Sequence, residues 1–138
     1  MYKFILLLLI IALGCDSQSK ESSFLSLKNN KGIGPVSEIV LDTEINHTLA
    51  KSGKKLFNQL CTSCHMINEE SIGPAIEGIF DRRSPEWIMN MILNPTEMLE
   101  KDPIAKKLLI EYNNEYMYNQ NLIEDEAREI IEYFRTLD

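Results

Sequence analysis

The amino-acid sequence predicts an all-α domain of about four short helices, and three observations carry that reading. Beyond residue 47, apolar residues recur at the spacing of a buried helix face. Ser84-Pro85-Glu86-Trp87 and Asp102-Pro103 each join a capping side chain to a proline at the first helical position. Strand signals are absent. The chain has 138 residues, 44% of them hydrophobic and 25% charged, which suits one modest globular domain. Six glycines and five prolines exclude a collagen-like or low-complexity chain. With 14 basic and 21 acidic residues the net charge is −7. An acidic chain gains nothing from counterion release on a phosphate backbone, so nucleic acid is not an expected partner.

The elements follow in order from the N-terminus. Lys3 precedes an unbroken apolar run from Phe4 to Leu13. Ten residues at about 1.5 Å each cannot cross roughly 30 Å of hydrocarbon, so residues 1–14 read as an export signal. Ala12-Leu13-Gly14-Cys15 ends the run. A small residue followed by cysteine at this place resembles a bacterial lipoprotein signal. That resemblance implies a lipid on the Cys15 sulfur and a domain held in the periplasm at a membrane face. Ordinary cleavage, with Cys15 lost or left free, is the alternative. Residues 15–46 read as a tether and N-terminal arm. The stretch from Asp16 to Lys31 is polar and linker-like. Gly32-Ile33-Gly34-Pro35 is a turn or polyproline segment. Ile39, Val40 and Leu41 either lie on the domain as an extended arm or prolong the tether.

The domain, residues 47–138, opens with a helix from Leu49 to Leu60 whose inner face is Leu49, Gly53, Leu56, Phe57 and Leu60. A second helix starts at Ser84, runs through Ile88, Met91 and Ile92, and is stopped by Pro95. A third starts at Asp102, with Ile104, Leu108 and Tyr112 as its stripe. The last spans about Glu124 to Thr136 and turns Ala127, Ile130, Ile131, Phe134 and Leu137 inward. Its acids and Arg128 read as a solvated surface.

Cys61-Thr62-Ser63-Cys64-His65 is the strongest signal in the chain. The C-x-x-C-H pattern marks covalent attachment of a c-type haem. Two thiols three positions apart at a helix end can reach both vinyl groups on one porphyrin edge, and the adjacent histidine can address the iron. A thioredoxin-type redox pair needs a βαβ context that is missing. Zinc needs four ligands, and His47 or a carboxylate would have to supply the last. A disulfide is the remaining alternative.

The sixth iron position decides what such a centre can do. Met66 adjoins His65 and cannot reach the far side. Met89 and Met91 lie inside a helix and lack loop freedom. Met117, Met98 and His47 remain, in that order. Met117 leads because Asn113 to Leu122 is a polar, irregular stretch that can fold over the cofactor with a soft thioether.

From about Ala50 onward the chain resembles a small monohaem class I cytochrome c. The matching residues are Gly53-Lys54-Lys55-Leu56-Phe57, the C-x-x-C-H motif, Gly73-Pro74, Gly78-Ile79, Arg82, Trp87, a methionine loop and Tyr133. The resemblance implies that the carbonyl of Pro74 accepts the N–H of His65. It implies that Gly53 and Phe57 cross the last helix near Tyr133, and that Trp87 with Arg82 or Arg83 contacts the haem propionates. Tyr116 and Tyr118 flank Met117 where the family usually has proline.

His and Met on both sides leave no open iron position, which suits electron transfer rather than catalysis. The expected role is a monomeric, membrane-tethered carrier between a quinol-oxidising complex and a reductase or oxidase. Negative charge favours a partner with a basic patch. A permanent haem subunit of a larger enzyme, and a sensor or enzyme with a labile sixth ligand, are the alternatives. No general acid, nucleophile or phosphate loop is apparent.

Overall fold

The structure, a computed structural model, describes residues 28–137. The apolar run and Cys15 lie outside the described residues. Six helices are complete among those residues, and no strand occurs there: α1 (His47–Leu60), α2 (Ile79–Arg82), α3 (Pro85–Leu93), α4 (Pro95–Lys101), α5 (Pro103–Glu111) and α6 (Glu124–Arg135). No described helix is long and apolar enough to cross a membrane.

Local chemistry starts the helices. Asn46 Oδ1 accepts the N–H groups of Thr48 and Leu49 at the head of α1. Ser84 Oγ accepts the Trp87 N–H at the head of α3, and Asp102 Oδ1 accepts those of Ile104 and Ala105 at the head of α5. Each cap satisfies donors that the first turn leaves open. Glu126 performs a related service for α6, its carboxylate taking the N–H of Ile123.

Two short helices exceed the four expected. Pro95 does end α3, but it also occupies the first position of α4, where its missing N–H costs nothing. Met98 is therefore a helical residue and not part of a loop. The tiny helix α2 follows Gly78, whose φ of 66° is readily reached by glycine.

The core forms where α1 crosses α6. A Cβ on Gly53 would come within 1.9 Å of the Glu129 carbonyl oxygen, so glycine alone permits this approach. Just beyond the crossing, the ring of Phe57 lies 5.6 Å from those of Tyr133 and Phe134. The edge-on contact with Phe134, at 82°, is a favoured aromatic geometry.

One face of α6 departs from the expected solvated surface. Glu132 is 1% exposed. Its carboxylate is held by Arg128, by Arg135 at 2.9 and 3.0 Å, and by the Asn46 N–H at 3.0 Å. Burial alone would raise its pKa, but these donors outweigh it and hold the group below the ordinary carboxylate value. A buried charge without such partners would be prohibitive.

The segment before α1 lies along the helices. Asn90, 1% exposed, accepts the Val36 N–H and donates to the carbonyls of Lys31 and Val36. Asn30 donates to Asp102 and accepts Gly32 N–H, and its carbonyl accepts Ser84 Oγ. Further along, the Arg135 guanidinium donates to the carbonyl of Asp42 at 2.6 Å. Residues 30–46 are thus an extended arm fixed at both ends.

Candidate cofactor site

The attachment motif sits where α1 stops. Cys61 caps the helix, its N–H bonded to the Phe57 carbonyl. The N–H groups of Cys64 and His65 both reach the Cys61 carbonyl at 3.0 and 2.9 Å. This tight turn presents both half-buried sulfurs to one cleft. Cys61 and Cys64 are not joined to each other. Burial, with the neighbouring Cys64, pushes the Cys61 thiol up to about 11, so it stays protonated near neutrality. No cluster of three or more metal-binding side chains occurs among the described residues, so the zinc reading has no ligand set. With no strand there, the thioredoxin-type context is missing too.

His65 is oriented from behind. Its Nδ1 lies 2.9 Å from the Pro74 carbonyl oxygen, as the resemblance implied. With Nδ1 as donor, the Nε2 lone pair is free for a metal. Gly73 makes room for this ring, since a Cβ there would fall 2.4 Å from His65 Cε1. The loop carrying Gly73 is tied back to the motif by its own N–H on the Cys64 carbonyl, and by the N–H of Glu77 on that of Ile67.

The cleft encloses about 240 Å³. Leu60, Trp87, Ile88, Leu99 and Phe134 are among its apolar walls, and two methionines line it, Met91 and Met117. A helical position counts against Met91 as a ligand by sequence, yet the residue lines the cleft. Tyr112, at the end of α5, is expected from the sequence only as part of that helix's apolar stripe, and it also lines the cleft. Burial, then the nearby Glu70 carboxylate, raises its pKa.

Two ligand candidates fall away. Met98 is 0% exposed, and its Sδ accepts the Ile33 N–H at 3.0 Å. It is committed to the arm and lies outside the cleft lining. His47, exposed in the first turn of α1, is also outside.

The expected anion contacts are redistributed. The indole N–H of Trp87 donates to Asp102 at 3.1 Å and is not free for a propionate, though the ring still forms cleft wall. Arg82 is exposed and acts as a strut, donating to the carbonyls of Glu77 and Ala75. Arg83 lies over the Trp87 ring at 5.1 Å, and its buried Nε has no hydrogen-bond partner. Burial, then the neighbouring Arg82 charge, lowers its pKa. A guanidinium with one unpartnered donor, stacked on the cleft-wall residue Trp87, two cysteine sulfurs in the lining and a histidine backed by glycine fit a flat, apolar group with acidic substituents.

Fold and site together define an all-α protein that carries one prosthetic group on two thioethers. Residues 50–138 match the family "Cytochrome c", and the chain belongs to the cytochrome c family, whose cofactor is covalently attached c-type haem. Among solved structures it is similar to a cytochrome c from Rhodothermus marinus, with 42% identity, a TM-score of 0.73, and coverage of 75% of this chain and 89% of that one. An engineered form of that protein, bound to a carbene intermediate, matches at 42% identity and a TM-score of 0.70 over the same shares of both chains. The cytochrome c domain of a Pseudomonas putida protein matches at 32% identity and a TM-score of 0.56, over 61% of this chain and 85% of that one. No curated protein matches. The family and fold support a haem-based electron carrier.

Proposed function

We propose that this carrier uses His65 and Met117 as its two axial ligands. The observation that carries the reading is that a histidine oriented by Pro74 and a methionine from the irregular 113–122 segment line one apolar cleft, while Met98 and His47 do not. When bound, the haem exchanges single electrons. Pro74 holds the His65 ring and sharpens its electron donation. The apolar walls exclude water, which disfavours the more highly charged oxidised state, and the thioether works in the same direction.

The chain is read as exported and held to a membrane by lipid on Cys15, passing electrons between membrane respiratory complexes and a reductase or oxidase. The sequence of residues 1–15 supports the export and the anchor. Retention of the mature protein in the detergent phase on partitioning checks the anchor, and a Cys15→Ser form should move to the aqueous phase.

Optical spectra test the ligation. The ferric methionine–iron charge-transfer band should be present in the wild type, absent in Met117→Ala and retained in Met91→Leu. Loss in Met91→Leu with retention in Met117→Ala would reassign the ligand to α3. Ready binding of carbon monoxide by the reduced protein at neutral pH would count against a saturated iron and favour the sensor or enzyme alternative.

A further inference from the structure

We propose that the head of the arm is a working part of the cofactor site: Asn30 and Gly32 are positioning residues that hold Trp87 in place as a wall of the haem cleft. The proposal deepens the electron-carrier reading and rests on it. The family match begins at residue 50, so this support comes from outside the matched stretch.

Asn30 reaches Trp87 by two routes, each with a single residue between. On the side-chain route, Asn30 Nδ2 donates to Asp102 Oδ2 at 2.7 Å, and the indole N–H of Trp87 donates to Asp102 Oδ1 at 3.1 Å. On the backbone route, Ser84 Oγ donates to the Asn30 carbonyl at 2.7 Å and accepts the Trp87 N–H at 3.1 Å. Asp102 is 2% exposed and Ser84 8%, so water competes little for either link. Buried polar networks rigidify a structure when their members are satisfied. Asn30 is itself held, its Oδ1 accepting the Gly32 N–H at 2.7 Å.

Gly32 closes the arm on the same ring edge. A Cβ there would lie 2.8 Å from both Cε and Sδ of Met98, and 3.3 Å from Trp87 Cδ1, the atom next to the indole nitrogen. The φ of 74° is one that glycine reaches readily. Trp87 is 4% exposed and lines the cleft. One edge of its ring is thus gripped by the arm and Asp102, while the residue borders the space for the cofactor. A loosened arm would let the indole shift and admit water, which favours the more highly charged oxidised state. The seated arm therefore raises the midpoint potential.

The chain has one tryptophan, so a single indole N–H resonance in the reduced holoprotein reports on Trp87 alone. Hydrogen exchange of that proton is compared with exchange of the backbone amide of Ile131, which is 0% exposed in α6 and outside the cleft lining. Asn30→Ala should speed the indole proton by about tenfold relative to the amide, the order expected for losing one buried hydrogen bond. It should also lower the midpoint potential, read by potentiometry. Gly32→Ala should do both while keeping every hydrogen-bonding side chain, and it decides the matter if Asn30→Ala does not fold. An arm that only stabilises the fold would leave the ratio of the two exchange rates and the potential unmoved. That result, or faster indole exchange with an unchanged potential, overturns the proposal. A wild type with no reversible one-electron couple fails as a carrier, and the indole exchange, read without electron transfer, keeps that failure separate.

Discussion

The sulfur of Met98 accepts the backbone N–H of Ile33 at 3.0 Å. That bond joins the arm to α4 and removes one methionine from contention for the iron. Met98→Leu should leave the charge-transfer band intact. It should cost about 1–2 kcal/mol of stability, from a near-isosteric swap that strands a half-buried N–H. Absorption spectra and urea unfolding of the same sample check both halves.

The α1–α6 crossing is unforgiving at one atom. Gly53→Ala places a methyl group inside the Glu129 carbonyl, and backbone cannot step aside as a side chain would. The expected loss is about 3 kcal/mol or more, at the upper end for overpacking. Urea unfolding measures it, and a near-neutral result would mean the helices can separate.

Orientation of His65 should register in the redox potential. Gly73→Ala crowds the imidazole, which weakens its bond to Pro74. A less strongly donating imidazole stabilises the oxidised iron less, so the midpoint potential should rise. Potentiometry checks the sign, and the charge-transfer band reports whether the sixth ligand is retained.

Glu132 makes stability fall in acid. Its folded pKa lies below the ordinary value, so its contribution is complete above the unfolded pKa and is lost as pH falls through the folded one. Glu132→Gln should flatten the acid limb of the stability curve. Glu132→Ala strands two guanidinium groups and should cost about 3–5 kcal/mol even at neutral pH. Urea midpoints from pH 7 down to about pH 3 distinguish the two.

Features that depend on near neighbours were legible in the sequence. The C-x-x-C-H motif, the Ser84 and Asp102 caps and the α1 stripe all rest on spacing or on a single residue's stereochemistry, while the Gly53 crossing follows from the family resemblance. Features fixed by distant partners were not. Pro95 reads as a stop, yet it also starts α4, because proline suits a first helical position as well as it ends a helix. Glu132 looks solvated until Asn46 and two arginines surround it. Met117 already leads Met98 from the irregular stretch around it, but the bond that commits Met98 to the arm depends on Ile33, a distant partner. Arg83, and not Arg82, is left with an orphaned donor, because the carbonyls of Ala75 and Glu77 capture Arg82 first.

The two fastenings of the arm give the molecule a load path. A pull applied ahead of Asn30 meets the side chains of Asp102, Ser84 and Asn90 first, each gripping backbone or amide on that short stretch. Whatever strain passes them is taken up by Arg135 at Asp42 before it arrives at His47. Tension from that end is therefore dissipated in α3, α5 and α6, and the turn bearing Cys61 and Cys64 keeps its shape.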